Sequence, residues 1–463
     1  MRWVRKMVLL LLFILLGASH FGCAGCVEER GCTIVPDILV EPQNVTLKPG
    51  EAVSYTAWDV SCRPSFHNGP SPIICVKKSE LKEGIIWRSS NPAVAIVDPA
   101  GIATAIAAGR TEIGAGWDTK GRMACPTTDN FIPPPHAQLF VYDRSDVFLG
   151  AGFDRMPWKV AIHPGKGIAL VTLPMANAVQ VVNLPSGTLS SFLSVDSFPR
   201  GIYVNPTSNR AVVANFFSDT VSVIDLTSSP QVLSSVTLPT GSGPIAATFS
   251  PTGGVALVVS YYTGRLSFVD VISPTPQEKA WVGVGPSPTG VAISPTGNAA
   301  LVLKEQNALT IASLDNVGEV VTVNVSGEAG LQGLAVDMRK GRAILTHYGT
   351  PSIPGGSVSI LDVTVFPPKL IGTVKTEEGP IDVAVHEGVG ITVVVNSGSA
   401  SSPGNTISLI EEREYRYGGD FTVTSTIPVG NMPTGIALFS GTNLAVVANS
   451  GDKSLSLIKL PLP

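Results

Sequence analysis

From Pro199 to Asp225 the chain reads Pro-Arg-Gly-Ile-Tyr-Val-Asn-Pro-Thr-Ser-Asn-Arg-Ala-Val-Val-Ala-Asn-Phe-Phe-Ser-Asp-Thr-Val-Ser-Val-Ile-Asp. Apolar runs rich in β-branched residues alternate with turn-formers, which predicts three short strands, Gly201 to Val204, Ala211 to Asn215 and Thr220 to Asp225. A sheet this small cannot bury its own faces. The same pattern returns from Pro244, Pro288 and Pro433, and more loosely from Pro157, Leu331 and Pro380, so neighbouring copies can cover one another. Seven copies, each spaced by one four-stranded unit, predict a ring of seven blades. After Pro433 there is room for only three strands, Gly435 to Leu438, Leu444 to Asn449 and Ser454 to Lys459. Asp146 to Gly152 is expected to supply the fourth beside the C-terminal strand, which removes an open sheet edge.

Composition agrees with this pattern. Of 463 residues, 44% are hydrophobic and 14% charged, with 47 Gly and 37 Pro, a balance that suits short strands and tight turns rather than helices. Lys and Arg total 31 against 35 Asp and Glu, a net charge of -4, so no electrostatic footprint for nucleic acid or an anionic membrane surface is present.

The wording Pro-Thr-Gly-Val-Ala-Ile-Ser-Pro-Thr-Gly from Pro288, and Val-Ala-Asn followed by Val-Ser-Val-Ile-Asp from Val213, resemble the repeats of YVTN-type β-propellers over residues 146–463. That resemblance implies the fold and leaves the function open, because such propellers serve many roles. Ahead of the repeats, Val45 to Glu51, Trp87 to Asp98, Gly101 to Ala105 and Ala108 to Ile113 resemble the bacterial immunoglobulin-like group 2 family. The expected architecture is therefore all-β, an N-terminal immunoglobulin-like sandwich over residues 34–143 followed by a seven-bladed β-propeller. In the sandwich Trp87 should be a core residue, Asn91-Pro92 a turn, and His136 to Asp143 the last strand. Residues 59–82 and 118–135 depart from the family as insertions. The family implies a spacer or adhesive role.

Arg2, Arg5 and Lys6 precede the apolar run Met7 to Leu16, the layout of a secretory signal over residues 1–25. A membrane-spanning helix needs about 20 apolar residues, so an anchor helix is disfavoured. Cys23-Ala24-Gly25-Cys26 resembles a bacterial lipobox, which implies lipidation of Cys26, a short tether over residues 26–33 and anchorage in the cell envelope. It departs from the pattern at Cys23, where Leu is usual, and Cys23 is the rival site. With Cys26 lipidated, Cys32, Cys62, Cys75 and Cys125 remain as an even set for disulfides in an oxidising compartment, Cys62 with Cys75 being the preferred local pair. No His follows Cys26, so c-type haem attachment fails, and no cofactor motif is present.

In a propeller blade the loop leading into the first strand and the loop leaving the second share one face, where such rings usually bind. Trp158, Arg200, Ile245, Thr289, Gln332, Ile381 and Thr434 lead into the inner strands, with Lys159 and Asp382 standing where most copies have Gly. Lys159 and Asp382 either pair across the channel or hold a ligand. Second strands end at Asn215, His347, Asn396 and Asn449 among others, the asparagines being expected to bond local backbone. Phe216-Phe217 and Tyr261-Tyr262 on adjacent blades, near Trp158, suit a sugar or peptide unless they pack between loops. Residues 347–357 and 396–406 read as long loops on the same face and could form a mobile rim. On the opposite face, His163, Asp337 and His386 occupy equivalent positions, expected on a solvated rim. Helix-borne zinc, serine-hydrolase, P-loop and dinucleotide motifs are absent. The expectation is a lipid-anchored envelope protein whose propeller binds protein or glycan, with a channel-centred lactonase or lyase as the alternative, for which Lys159, Arg200, Asp382 and His347 are the strong candidate groups.

Overall fold

A computed structural model of the chain describes residues 37–64, 73–81, 85–117, 136–350, 353–386, 388–399, 401–415, 418–439 and 441–461. The leader, Cys26, Cys32 and Cys125 lie outside these residues. Among the described residues there is no α-helix, and three 3-10 turns at Phe153–Arg155, Pro164–Lys166 and Pro174–Ala176 are the departures from strand and loop. Among the described residues no helix is long and apolar enough to cross a membrane.

The chain divides into two compact units, one of Met1–Val45, Gly50–Ile106 and Thr111–Leu139, the other of Thr46–Pro49, Ala107–Arg110 and Phe140–Pro463. In the N-terminal region a three-stranded sheet orders Asp37–Glu41, Thr56–Pro64 and Ile73–Leu81. The last two pair antiparallel, largely within the predicted insertion, and their register sets Cys62 opposite Cys75. Asn44–Leu47, His136–Val141, Gly109–Trp117 and Ile85–Ser89 form a four-stranded sheet, and Ala52–Ser54, Ile102–Ala105 and Ala95–Val97 a small third one. Trp87 is half-buried against Tyr55, with ring centroids 6.5 Å apart. Asn91 starts a turn in which its carbonyl accepts the N–H groups of Val94 and Ala95.

Phe140–Pro463 contains the seven-bladed β-propeller. Its inner strands are Val160–His163, Pro199–Asn205, Pro244–Phe249, Pro288–Ile293, Leu331–Asp337, Pro380–His386 and Pro433–Phe439, in blades one to seven. Each opens an antiparallel four-stranded sheet, and the inner strands follow one another round the ring until the seventh packs on the first. Blade seven is closed by Asp143–Phe148, which pairs antiparallel with Ser454–Lys459; the closing strand begins three residues before Asp146. The ring therefore has no unpaired edge at the joint.

Seven hydrophobic clusters hold the ring, one between each pair of neighbouring blades. Second strands are buried on both faces. In Arg210–Asn215, Ala211 and Val213 enter the cluster shared with blade one, while Val212 and Ala214 enter the one shared with blade three. Each fully buried aliphatic side chain stabilises by roughly 1.5–3 kcal/mol, so the blade interfaces dominate the energetics. Near the axis there is little room. A Cβ on Gly435 would stand 2.5 Å from the Trp158 carbonyl oxygen, so glycine is what lets inner strands seven and one approach.

Candidate functional site

In blades two to seven the register shifts just after the first residue of the inner strand. A bulge of this kind re-aims the side chains it carries. In blade two Pro199 pairs with Asn215 and Ile202 with Val213, which places Arg200 in the bulge. Its guanidinium carbon lies 4.6 Å from the centroid of the Trp158 ring and 5.4 Å from that of Phe216. The Nε of Arg200 is sealed from solvent without an acceptor, and among the described residues no hydrogen bond or ion pair reaches the guanidinium. Burial lowers its pKa from the ordinary guanidinium value while Tyr262 and Tyr261 raise it, and an arginine remains a cation.

The rings around Arg200 form one continuous cluster over blades two and three. Phe216 lies 5.4 Å from Phe217, 6.4 Å from Tyr261 and 5.4 Å from Tyr262, centroid to centroid, and Tyr261 meets Tyr262 edge-on at 5.3 Å. Phe216 is buried, but Phe217 and Tyr262 are each 64% exposed. The turns that carry them are fixed by backbone bonds. Phe216 and Phe217 donate their N–H groups to the carbonyls of Phe198 and Ser197, and Tyr261 and Tyr262 donate theirs to Gly243 and Ser242. Gly243, at φ +60°, lies directly beneath the Tyr262 ring, where a Cβ would come within 2.7 Å of it.

Two members of this site escape the sequence reading. Phe198 stacks on Phe217 at 4.4 Å. It sits at φ 59°, in the place where Gly243, Gly330 and Gly379 precede the inner strands of blades three, five and six, although Ser287 and Met432 share that conformation in blades four and seven. A bulky residue in the left-handed region is strained, and nothing in the sequence announces that conformation. The second is Glu305, whose carboxylate accepts the Tyr261 hydroxyl at 2.6 Å. That bond, with burial, raises the Tyr261 pKa above the ordinary phenol value.

Lys159 and Asp382 meet at 2.6 Å, with side chains 28% and 13% exposed, and the second Asp382 oxygen accepts the Ile436 N–H at 3.0 Å. Both charges are thus answered within the ring. His347 is not presented to the channel as an acid or base. It is fully buried, its Nδ1–H donating to the Glu328 carbonyl and its Nε2 accepting the Ser359 hydroxyl at 2.7 Å. Burial lowers its pKa, opposed by the Glu328 carbonyl. The same latch is built by asparagine elsewhere. Asn215, Asn396 and Asn449 each donate from Nδ2, at 2.9 Å, to Ser222, Ser408 and Ser456 on the third strand, and so bond side-chain hydroxyls where local backbone was expected. His347 is blade five's version of this latch.

Two further expectations are corrected. Within 347–357 and 396–406 the described residues prolong the second and third strands as paired strand, with Gly349 opposite Pro354 and Gly398 opposite Pro403. His163, Asp337 and His386 are buried rather than solvated: His163 bonds Asn209, Asp337 caps the N–H groups of Arg339 and Lys340, and neither ring nitrogen of His386 has a partner among the described residues. Among the described residues no group of three His, Cys, Asp or Glu is arranged to hold a metal.

The propeller is similar to a chain of hydrazine synthase from Kuenenia stuttgartiensis, at 15% identity and a TM-score of 0.55, covering 65% of this chain and 95% of that one. It is also similar to a streptogramin B lyase, at 12% identity and 0.55 over 69% and 98%, and to virginiamycin B lyase from Staphylococcus aureus, at 13% and 0.54 over 68% and 99%. The likeness is one of fold. No family model and no curated protein sequence matches the chain.

Proposed function

We propose that the chain is a cell-envelope lipoprotein whose propeller is a binding module, recognising protein or glycan on the face formed by Phe198, Arg200, Phe217 and Tyr262. The observation that carries this reading is the pair of 64% exposed rings, Phe217 and Tyr262, held rigidly on adjacent blades beside an unpaired arginine. A ring exposed on a fixed turn offers flat apolar area that no intramolecular contact uses. The lipobox-like Cys23 to Cys26 supports anchorage through Cys26 after export across the inner membrane, and the N-terminal region serves as an immunoglobulin-like spacer in which Cys62 and Cys75, opposite each other in register, form a disulfide. A lactonase or lyase centred on the channel is the weaker reading, because Lys159 and Asp382 are bonded to each other and His347 lies inside a sheet.

Glycan and peptide arrays probed with the full chain and with a Phe217→Ala/Tyr262→Ala variant test the binding reading. Ligands selected by the unaltered chain should bind the variant at least about tenfold more weakly, since each lost ring contact is worth about 1 kcal/mol or more. Unchanged binding to every selected ligand would sink it. Radiolabelled palmitate incorporation that survives Cys26→Ala would exclude Cys26 as the anchor.

A further inference from the structure

Among the described residues, four acids of the loops on this face are committed. Asp196 accepts the Thr220 hydroxyl at 2.7 Å, Asp219 caps the N–H groups of Gly241 and Gly243 at 2.7 and 2.8 Å, Glu305 takes Tyr261, and Asp382 takes Lys159. Among the described residues no acceptor reaches the Arg200 guanidinium, which lies against the Trp158 and Phe216 rings. Stacking uses the faces of a guanidinium and leaves its edge, the N–H fork that fits a carboxylate with two parallel bonds, free for an anion from outside the chain.

We propose that this face takes an extended peptide segment in which an acidic side chain, seated on the Arg200 fork, is flanked by apolar side chains that lie on Phe198, Phe217 and Tyr262. This deepens the binding reading and rests on it. The polar balance of the site selects peptide over glycan. A sugar chain brings many hydroxyls that need donors and acceptors, whereas here the cation lies against Trp158 and Phe216, Phe216 continues into the rings of Phe198, Phe217 and Tyr262, and Glu305 is already engaged by Tyr261. A segment with one carboxylate between apolar residues matches that inventory. Phe198 extends the same apolar surface, since its ring lies 4.4 Å from that of Phe217 and 6.5 Å from that of Phe216.

The test is a bead library of capped pentapeptides with Glu, Asp or Gln fixed at the centre and Phe, Tyr, Leu, Val or Ala at the flanks, with oligogalacturonate as the acidic-glycan arm. Binding to the full chain is read by fluorescence polarisation. Glu or Asp peptides with aromatic or aliphatic flanks should bind about 10- to 100-fold more tightly than their Gln twins. The difference should vanish in Arg200→Gln and survive in part in Arg200→Lys, which keeps the charge and loses the fork. A thermal melt of each variant confirms folding, since among the described residues the Arg200 guanidinium has ring contacts and no hydrogen bond or ion pair to lose. Equal binding of Glu and Gln peptides, still sensitive to Phe217→Ala/Tyr262→Ala, overturns the carboxylate assignment and leaves the binding face standing. Arg200-dependent binding of oligogalacturonate without any peptide overturns the peptide assignment, and so does a library with no binder.

Discussion

Replacing Arg200 by Met tests whether the guanidinium is idle in the folded chain. The head is sealed at Nε and touches two rings, at 4.6 and 5.4 Å, but no carboxylate. Half-burying an uncompensated charge costs about 1–3 kcal/mol, less than the several kcal/mol of full burial. Two cation–π contacts return about 0.5–2 kcal/mol each. Methionine fills a similar volume, removes the charge and regains part of the ring contact through its sulfur, worth about 0.3–1.5 kcal/mol. These contributions nearly cancel, so Arg200→Met should change the unfolding free energy by less than about 1 kcal/mol. Arg342 is the internal control. It bonds Glu412 at 2.7 Å while lying over the Phe421 ring at 5.0 Å, and Arg342→Met leaves that carboxylate with Lys340, at 2.6 Å, as its remaining cation. Loss of the charge-assisted bond should cost about 1.5–3 kcal/mol there. Urea titrations followed by tryptophan fluorescence and far-UV circular dichroism read both variants. If Arg200→Met costs 3 kcal/mol or more, the arginine is structural and the reasoning about a free cation fails.

Three further outcomes follow from the same geometry. Glu412 is held at a pKa of about 2, below its ordinary 4.5, chiefly by Arg342, with Lys340 adding and burial opposing, so its stabilisation is complete above about pH 5 and lost as pH falls from 4.5 to 2. Glu412→Gln should cost about 1–2 kcal/mol at pH 7, after allowance for solvent screening, and nothing near pH 2; a pH-independent loss would contradict the assignment. Deleting Ser454–Pro463 removes the buried Leu455, Leu457 and Ile458 and unpairs Asp143–Phe148, a loss comparable with the whole 5–15 kcal/mol stability of a domain. Its cooperative melting transition should disappear, and a preserved one would argue against closure of the ring at that joint. Phe198→Gly relieves the left-handed strain and should leave stability within about 1 kcal/mol, while weakening any ligand selected on this face; unchanged affinity would remove Phe198 from the site.

Much of the ring could be read from the chain because its signal is local and repeated: a proline marking six of the seven copies, a doubly buried run such as Ala211 to Asn215, and a last copy one strand short. Arg200, Phe216, Phe217, Tyr261 and Tyr262 could be placed on one face by the same phase. What could not be read depends on where a side chain turns within the blade. His347 stands at the end of a second strand just as Asn215 does, and nothing in its neighbours says that it points back to Ser359 rather than into the channel. Loop lengths misled as well. Residues 347–357 and 396–406 carry the Gly, Ser and Pro of loops, yet glycines at 349, 355, 398 and 404 let two strands meet closely enough to continue their pairing. Phe198 was overlooked for the opposite reason, since a phenylalanine before a proline gives no warning of a positive φ.

The central claim is that the face bearing Phe198, Arg200, Phe217 and Tyr262 is where this protein binds. Amide hydrogen exchange of the full chain, with and without a saturating ligand chosen from the arrays, tests it most directly. Protection should concentrate in residues 196–200, 215–219, 241–243 and 260–263. Protection confined to the outer strands, or to the inner strands around Lys159 and Asp382, would contradict the account.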